Sequence, residues 1–446
     1  MSETGCVVVG GGPAGMVLGL LLARAGVRVT VLEKHGDFLR DFRGDTVHAS
    51  TLTLLDELGL SEEFDKLHRR LVDQITVQLD AGTVPLQLRW LPGPHKHIAF
   101  VPQWDFLEML ASEAEREPNF TLRRNAEVTS LLKEGGRVVG VRYRHRGTDG
   151  DGQPGDPAEP AEPAAEHAPT TGHKPGTVHE LRAALTVACD GRGSTVRAAA
   201  ELRPREFGVP MDVWWFRLPR KESDPIGAVG RFSTGHVAVM LDRGDYWQCA
   251  YLIRKGSDTR LRAAGVQLLH SEFAGLLPWT EDRMGTITSW DDVKLLNVSL
   301  NRLRRWSSDG LLLIGDAAHA MSPVGGVGIN LAVADAVATA RIVAPPLRAG
   351  RVSPGQLRRV QRRRWWPTAV IQGGQRLAHR FVLGRKLEED QGARQVATRP
   401  PLPLRVLRRF PVLGTIPAYL VAIGPLPEHA PEWARRRPGS TRSAAE

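Results

Sequence analysis

The amino terminus constrains this chain most. Cys6-Val7-Val8-Val9 reads as a buried strand and runs straight into Gly10-Gly11-Gly12-Pro13-Ala14-Gly15. An apolar helix from Met16 to Ala25 follows, then a second strand from Arg28 to Leu32 that ends at Glu33. Strand, GxGxxG turn, helix, strand and acid in that order form a βαβ dinucleotide-binding fingerprint. Gly10 permits the tight turn, Gly12 lets a pyrophosphate approach, and Gly15 lets helix and strand pack closely. Pro13, Ala14 and Lys34 belong to the same cradle. Glu33 falls about twenty residues on, where an acid meets a ribose hydroxyl.

A second motif lies far downstream. Leu311-Leu312-Leu313-Ile314 reads as a buried strand, and Gly315-Asp316 stands at its carboxyl end. Pro323, Gly325, Gly326 and Gly328 make a sharp turn, and Ile329 to Arg341 reads as a helix. A helix that opens behind glycines presents bare N–H groups and a positive dipole end, where an anion would be held. Taken alone, the segment could also be an ordinary glycine-rich strand-to-helix turn.

The third motif is Ala188-Cys189-Asp190-Gly191-Arg192-Gly193-Ser194-Thr195-Val196-Arg197, after a strand from Leu185 to Ala188. Asp190 is expected to accept hydrogen bonds at the turn. Arg192 reads as a solvated arginine.

These motifs, in this order, resemble the class A flavin monooxygenases, the FAD-dependent aromatic-ring hydroxylases similar to para-hydroxybenzoate hydroxylase. The match spans about residues 6 to 341. The resemblance implies FAD at the first fingerprint rather than NAD. It implies a flavin ribityl contact at Gly315 and Asp316, and Pro323 over the isoalloxazine. The helix start around Gly326, Gly328, Ile329 and Asn330 would face the pyrimidine edge. Asp190 supports the FAD and Arg197 is anchored near the pyrophosphate. Arg43, after the second strand, and Gln103, at a helix start, occupy places where the family reaches the cofactor. Pro323 and Gly326 would shape the peroxide pocket.

The fold expected is α/β: a Rossmann-like FAD-binding domain, an inserted β-sheet substrate domain and a helical C-terminal region. The cofactor unit is assembled from residues 1–75, 98–200 and 285–345, the substrate sheet from 76–97 and 201–284, and the helical region from 346–446. Ile75 to Arg89 alternates around Ala81-Gly82, and Arg243-Gly244-Asp245 turns between strand-like runs. Trp214, Trp215, Phe216, Tyr246, Trp247 and Tyr251 make this region aromatic, but alternation lets only some face a pocket. Residues 146–178 carry almost no large apolar side chains and read as a disordered hairpin expansion. Gln356 to Trp366 reads as a basic helix ended by Pro367. Leu402 to Ile423 is apolar but broken by prolines, so it is expected to cover the sheet, meet a partner or touch a membrane, and the first is preferred. Arg435 to Glu446 reads as a frayed tail.

The net charge of +10 does not come with any nucleic-acid motif, and arginine greatly outnumbers lysine. Nucleic acid is not expected as a partner, and a weak contact with an anionic membrane surface is the more credible one. Cys6, Cys189 and Cys249 are too few and scattered for a disulfide framework or a metal site. With no signal sequence ahead of the first strand, a cytoplasmic protein is expected, at most peripheral to the membrane.

No nucleophile–base pair, zinc spacing or P-loop is evident, and flavin chemistry needs none. The resemblance implies that NADH or NADPH reduces FAD and that a flavin C4a-hydroperoxide delivers one atom of O2 to a small apolar molecule, aromatic or polyketide-like. His48 is the candidate general base for a phenolic substrate. The alternatives are reduction of isoprenoid double bonds, a non-redox cyclisation on the same scaffold, or a flavin-holding binding protein. A halogenase is less expected, because its tryptophan-rich signature is not seen.

Overall fold

The computed structural model describes residues 2–38, 46–80, 82–145, 177–233, 235–380 and 414–436. Strand Ser2–Val9 pairs in parallel with Val29–Leu32 on one side and Val178–Ala188 on the other. Leu311–Leu313 extends the sheet beyond Val178–Ala188, and Phe120–Arg123 extends it beyond Val29–Leu32, both in parallel. The carboxyl ends of all these strands therefore share one edge. The Val and Leu runs in Ser2–Val9, Val29–Leu32 and Leu311–Leu313 follow from burial on both faces, as parallel sheets require. Helix Pro13–Arg24 is buried from Ala14 to Ala23. It packs against helices Gln103–Glu115 and Gly328–Arg348, which is why it is apolar all round.

An antiparallel hairpin, Ala126–Glu134 and Arg137–His145, continues onto Val178–Ala188. The loop expected to be disordered, 146–178, lies outside the described residues apart from Thr177 and Val178. Its two ends are hydrogen-bonded, with the His145 N–H donating to the Thr177 carbonyl at 3.0 Å. All three cysteines are free and buried.

A second, seven-stranded sheet runs in the order Lys294–Leu296, Met211–Pro219, Tyr246–Arg254, His236–Asp242, Ala228–Ser233, Gln74–Leu79, Gly82–Gln87. Lys294–Leu296 comes from the stretch that the sequence reading gave to the cofactor unit, yet it forms an edge of this sheet. Strand alternation sorts the aromatics. Trp214, Phe216, Trp247 and Tyr251 point to one face and pack on helix Val266–Leu276. Trp215 points to the other face, among Val237, Leu252 and Val324.

The basic helix does not stop at Pro367. It is continuous over Pro354–Ala378, with a Ser353 capping box at its start. Proline removes one backbone donor and crowds the preceding turn. Here the Pro367 ring is buried, so its packing offsets the lost bond. Nor does the tail fray at Arg435: the Arg436 N–H donates to the Glu57 carbonyl at 3.2 Å. Of the apolar carboxyl-terminal segment, residues 402–413 lie outside the described residues. Helix Thr415–Ala422 packs Ala418 and Ala422 among Ile75, Ala228 and Leu241, on the Trp215 face of the second sheet.

Candidate active site

The three glycine-rich turns meet at one sheet edge, because their strands are neighbours. The Ile314 N–H donates to the Ala188 carbonyl at 3.0 Å, and the Cys189 N–H to the Val9 carbonyl at 2.7 Å. Gly10 has φ +101°, and a Cβ there would lie 2.6 Å from the Cys189 carbonyl oxygen. A Cβ on Gly15 would lie 2.0 Å from the Gly10 oxygen, so only glycine lets the helix sit this close. Gly12 and Gly328, at the starts of their helices, are different: nothing stands within 4 Å of an added Cβ. Open space at two helix N-termini fits a dinucleotide whose phosphates approach the backbone.

The charged residues around this edge tie the motifs together. Buried Glu33 accepts from the Gly11 N–H at 2.8 Å and the His35 N–H at 3.0 Å, so it shapes the glycine loop itself. Asp190 accepts from the Ser194 hydroxyl at 2.6 Å and the Val196 N–H at 3.1 Å, which caps helix Thr195–Ala199. Burial pushes its carboxyl above the usual range, against the pull of those hydrogen bonds. Arg197 donates to the Ala317 carbonyl at 2.9 Å. Arg192 is not merely solvated, as its sequence suggested: its Nε stands 3.3 Å from Asp316 Oδ2, where the two turns converge.

The helix after Gly326 is met by the segment Thr46–Val47 and helix Ala49–Leu58. Asn330 Oδ1 accepts from the His48 N–H at 3.0 Å and from the Thr51 hydroxyl at 2.7 Å. The Thr46 hydroxyl donates to the Gly326 carbonyl at 3.0 Å. Gly326 has φ +64°, and a Cβ on it would fall 2.5 Å from Thr46 Oγ1 and 3.4 Å from His48 Nε2. His48 is fully buried. Its Nδ1 lies 2.8 Å from the Val421 carbonyl oxygen, so that nitrogen carries the proton and donates. The lone pair is then on Nε2, which has no hydrogen-bond partner among the described residues. Burial lowers the imidazole pKa to about 4, and the Val421 bond only partly opposes this. The result is a neutral, preoriented proton acceptor beside Gly326.

Two buried glutamines hold the turn in place. Gln375 Nε2 donates to the carbonyls of Ser322 and Val324 at 2.9 and 2.8 Å, and its Oε1 accepts from the Ser322 N–H at 3.2 Å. Gln372 Nε2 donates to the Asn301 and Ala320 carbonyls at 2.7 and 3.2 Å. Below the turn, fully buried Asp335 stands 2.6 Å from His319 Nε2 and 3.0 Å from Arg364 Nε, and accepts from the Gly315 N–H at 3.1 Å. Burial alone would push its carboxyl up, but His319, Arg364 and the Gly315 N–H outweigh it and hold it below the usual carboxylate range. Sequence reasoning missed Thr46, Thr51, Asp335, Arg364, Gln372 and Gln375. Asp335 did leave a signal, as an acid within an otherwise apolar helical run.

Other expected residues sit more loosely. Lys34 is exposed on the bend after its strand, and Gln103 is half-buried as the first residue of its helix. Arg43 lies outside the described residues. Pro323 is half-buried ahead of the turn Val324–Gly326.

Comparison with known proteins agrees with this geometry. The family described as FAD binding domain matches residues 3–152 and 158–372. The chain is 30% identical over 415 residues to 6-methylpretetramide 4-monooxygenase of Streptomyces rimosus, covering 92% of each chain. It is 28% identical to the 12-dehydrotetracycline 5-monooxygenase/anhydrotetracycline 6-monooxygenase of that species, over 74% of this chain and 60% of the relative's length. Among solved structures, Pseudomonas aeruginosa PqsL in complex with 2-aminobenzoylacetate superposes with a TM-score of 0.70 at 17% identity, covering 86% of this chain and 98% of that one, and so shares the fold. The chain belongs to the FAD binding domain family, among the class A FAD-dependent monooxygenases.

Proposed function

We propose that this protein uses NADH or NADPH and O2 to hydroxylate an aromatic or polyketide-like small molecule. One observation carries the reading: a neutral histidine nitrogen, buried and without a partner, faces the glycine turn on which the FAD motifs converge. A relative matched over 92% of its length is, by its name, a monooxygenase acting on 6-methylpretetramide, which supports an aromatic or polyketide-like substrate.

FAD, when bound, supplies the activation of O2 with electrons taken from NAD(P)H. Gly10, Gly12, Pro13, Ala14 and Gly15 would hold its pyrophosphate, with Glu33 and Lys34 toward the ribose and Arg43 and Gln103 as further contacts. Gly315, Asp316, Asp190 and Arg197 would position its centre. Pro323, Gly326, Gly328, Ile329 and Asn330 would receive its ring, where the helix N-terminus favours negative charge. The substrate lies between that turn and the Trp215 face of the second sheet. His48 Nε2 accepts the proton of a substrate hydroxyl, and the Val421 carbonyl keeps the tautomer that makes this acceptor available. Helix Thr415–Ala422 keeps water out of this space. A cytoplasmic setting, where NAD(P)H is available, goes with this reading.

Purification is a direct check on the cofactor: the protein should be yellow, and substrate should accelerate NAD(P)H consumption. A folded, colourless protein that ignores added FAD would contradict it.

A further inference from the structure

We infer that the substrate carries a carbonyl oxygen, and that Trp215 Nε1 and Gln248 Nε2 are the donors that recognise it. This rests on the monooxygenase reading and adds a chemical class to it.

Trp215 and Gln248 lie on adjacent antiparallel strands. Trp215 is directly opposite Ala250, two positions along the strand from Gln248. Their side chains therefore leave the same face as a diagonal pair, at about 7–8 Å. That face is the one turned to the flavin-side turn. Trp215 clusters with Val324, next to Pro323. Leu241, the cross-strand partner of Gln248, clusters with Ala418 and Ala422 of the covering helix.

Both side chains are buried, Trp215 at 7% exposure and Gln248 at 1%. Neither Trp215 Nε1 nor Gln248 Nε2 has a hydrogen-bond partner among the described residues. The Gln248 amide is oriented: its Oε1 accepts from Arg243 Nε at 2.8 Å. Arginine only donates, so the amide oxygen must face it and the NH2 group must face away. Leaving a donor unsatisfied inside a protein costs about 1–3 kcal/mol. Two such donors on one apolar face are what a bound acceptor would repair. The surrounding Val237, Val239, Ala250 and Leu252 give the ligand an apolar frame. With His48 Nε2 as the acceptor at the flavin-side turn, the recognised molecule is flat and apolar, and carries a hydroxyl and a carbonyl.

The test uses oxidised, FAD-loaded enzyme without NAD(P)H, titrated calorimetrically with 5-hydroxy-1-tetralone and with 5-hydroxytetralin. The two probes differ in the carbonyl. The ketone is expected to bind roughly tenfold more tightly. Trp215→Phe, which keeps an aromatic ring, and Gln248→Glu, which keeps the acceptor for Arg243, should each cut that preference about three- to tenfold. Binding of 5-hydroxytetralin should weaken less than binding of the ketone. Equal affinity for the two probes, no detectable binding of the ketone, or a preference unaltered in FAD-loaded variants overturns the inference. Should either variant lose FAD, the wild-type ratio and the other variant decide. No turnover is involved, so an enzyme that transfers oxygen but ignores the carbonyl sinks this inference alone, and one that prefers the ketone but transfers no oxygen sinks the function proposed above.

Discussion

His48 Nδ1 donates to the Val421 carbonyl across 2.8 Å, joining the segment beside the flavin turn to the carboxyl-terminal helix. One hydrogen bond thus fixes which imidazole nitrogen can accept a proton and where the covering helix sits. His48→Asn keeps a donor near the Nδ1 position and removes the Nε2 acceptor. It should retain FAD and lower substrate turnover about 100-fold or more. Equal turnover in wild type and variant would end the base assignment.

The same burial has a pH signature. The folded pKa is lowered to about 4, below the ordinary value of 6.5. The unfolded chain then binds the proton first, so stability is lost as pH falls through the window from 6.5 toward 4. Urea unfolding of wild type and His48→Asn at pH 7.5 and pH 5 measures it. The wild type should lose about 2 kcal/mol more than the variant at the lower pH.

Glycines that look alike in sequence should respond differently. Gly12 faces open space, so Gly12→Val should fold and lose FAD, because the side chain fills the phosphate path. Gly15→Ala places a methyl against the Gly10 carbonyl and should unfold the loop, costing about 1–3 kcal/mol. Flavin content and melting temperature, measured together, separate the two outcomes.

Much of the cofactor edge was legible, because local chemistry dictates it. A parallel strand buried on both faces, a glycine needed at φ +101°, and a helix opening behind it leave few alternatives for residues 6–33. The rest depends on long-range partners. Val421 meets His48 from more than 370 positions away, and no periodicity encodes that. Pro367 suggested a stop, but burial of its ring carried the helix through it. Arg192 was misjudged because its partner, Asp316, lies on another motif. Alternation correctly limited the aromatics to different faces but could not say which face meets the flavin turn.

The paired ends of the long hairpin loop suggest that it can be shortened. Replacing Gly150 to Lys174 with a short Gly-Ser turn should leave FAD binding and turnover nearly unchanged, since closure entropy varies slowly with loop length. Loss of activity with folding intact would reveal a role for that segment.

Truncation after Ala397 removes the helix that covers the Trp215 face. The shortened enzyme should keep FAD, while a larger share of its NAD(P)H consumption ends as free peroxide. Product yield per NAD(P)H is the readout. Full coupling, with loss of sedimentation on anionic lipid vesicles, would transfer the segment's role to the membrane.

Oxygen transfer itself is tested most directly with isotopically labelled O2. Incubated with NAD(P)H and an accepted aromatic substrate, the enzyme should place one labelled oxygen atom in the product, with none coming from labelled water. A product formed without label, or formed anaerobically, would contradict the account and favour reduction or cyclisation.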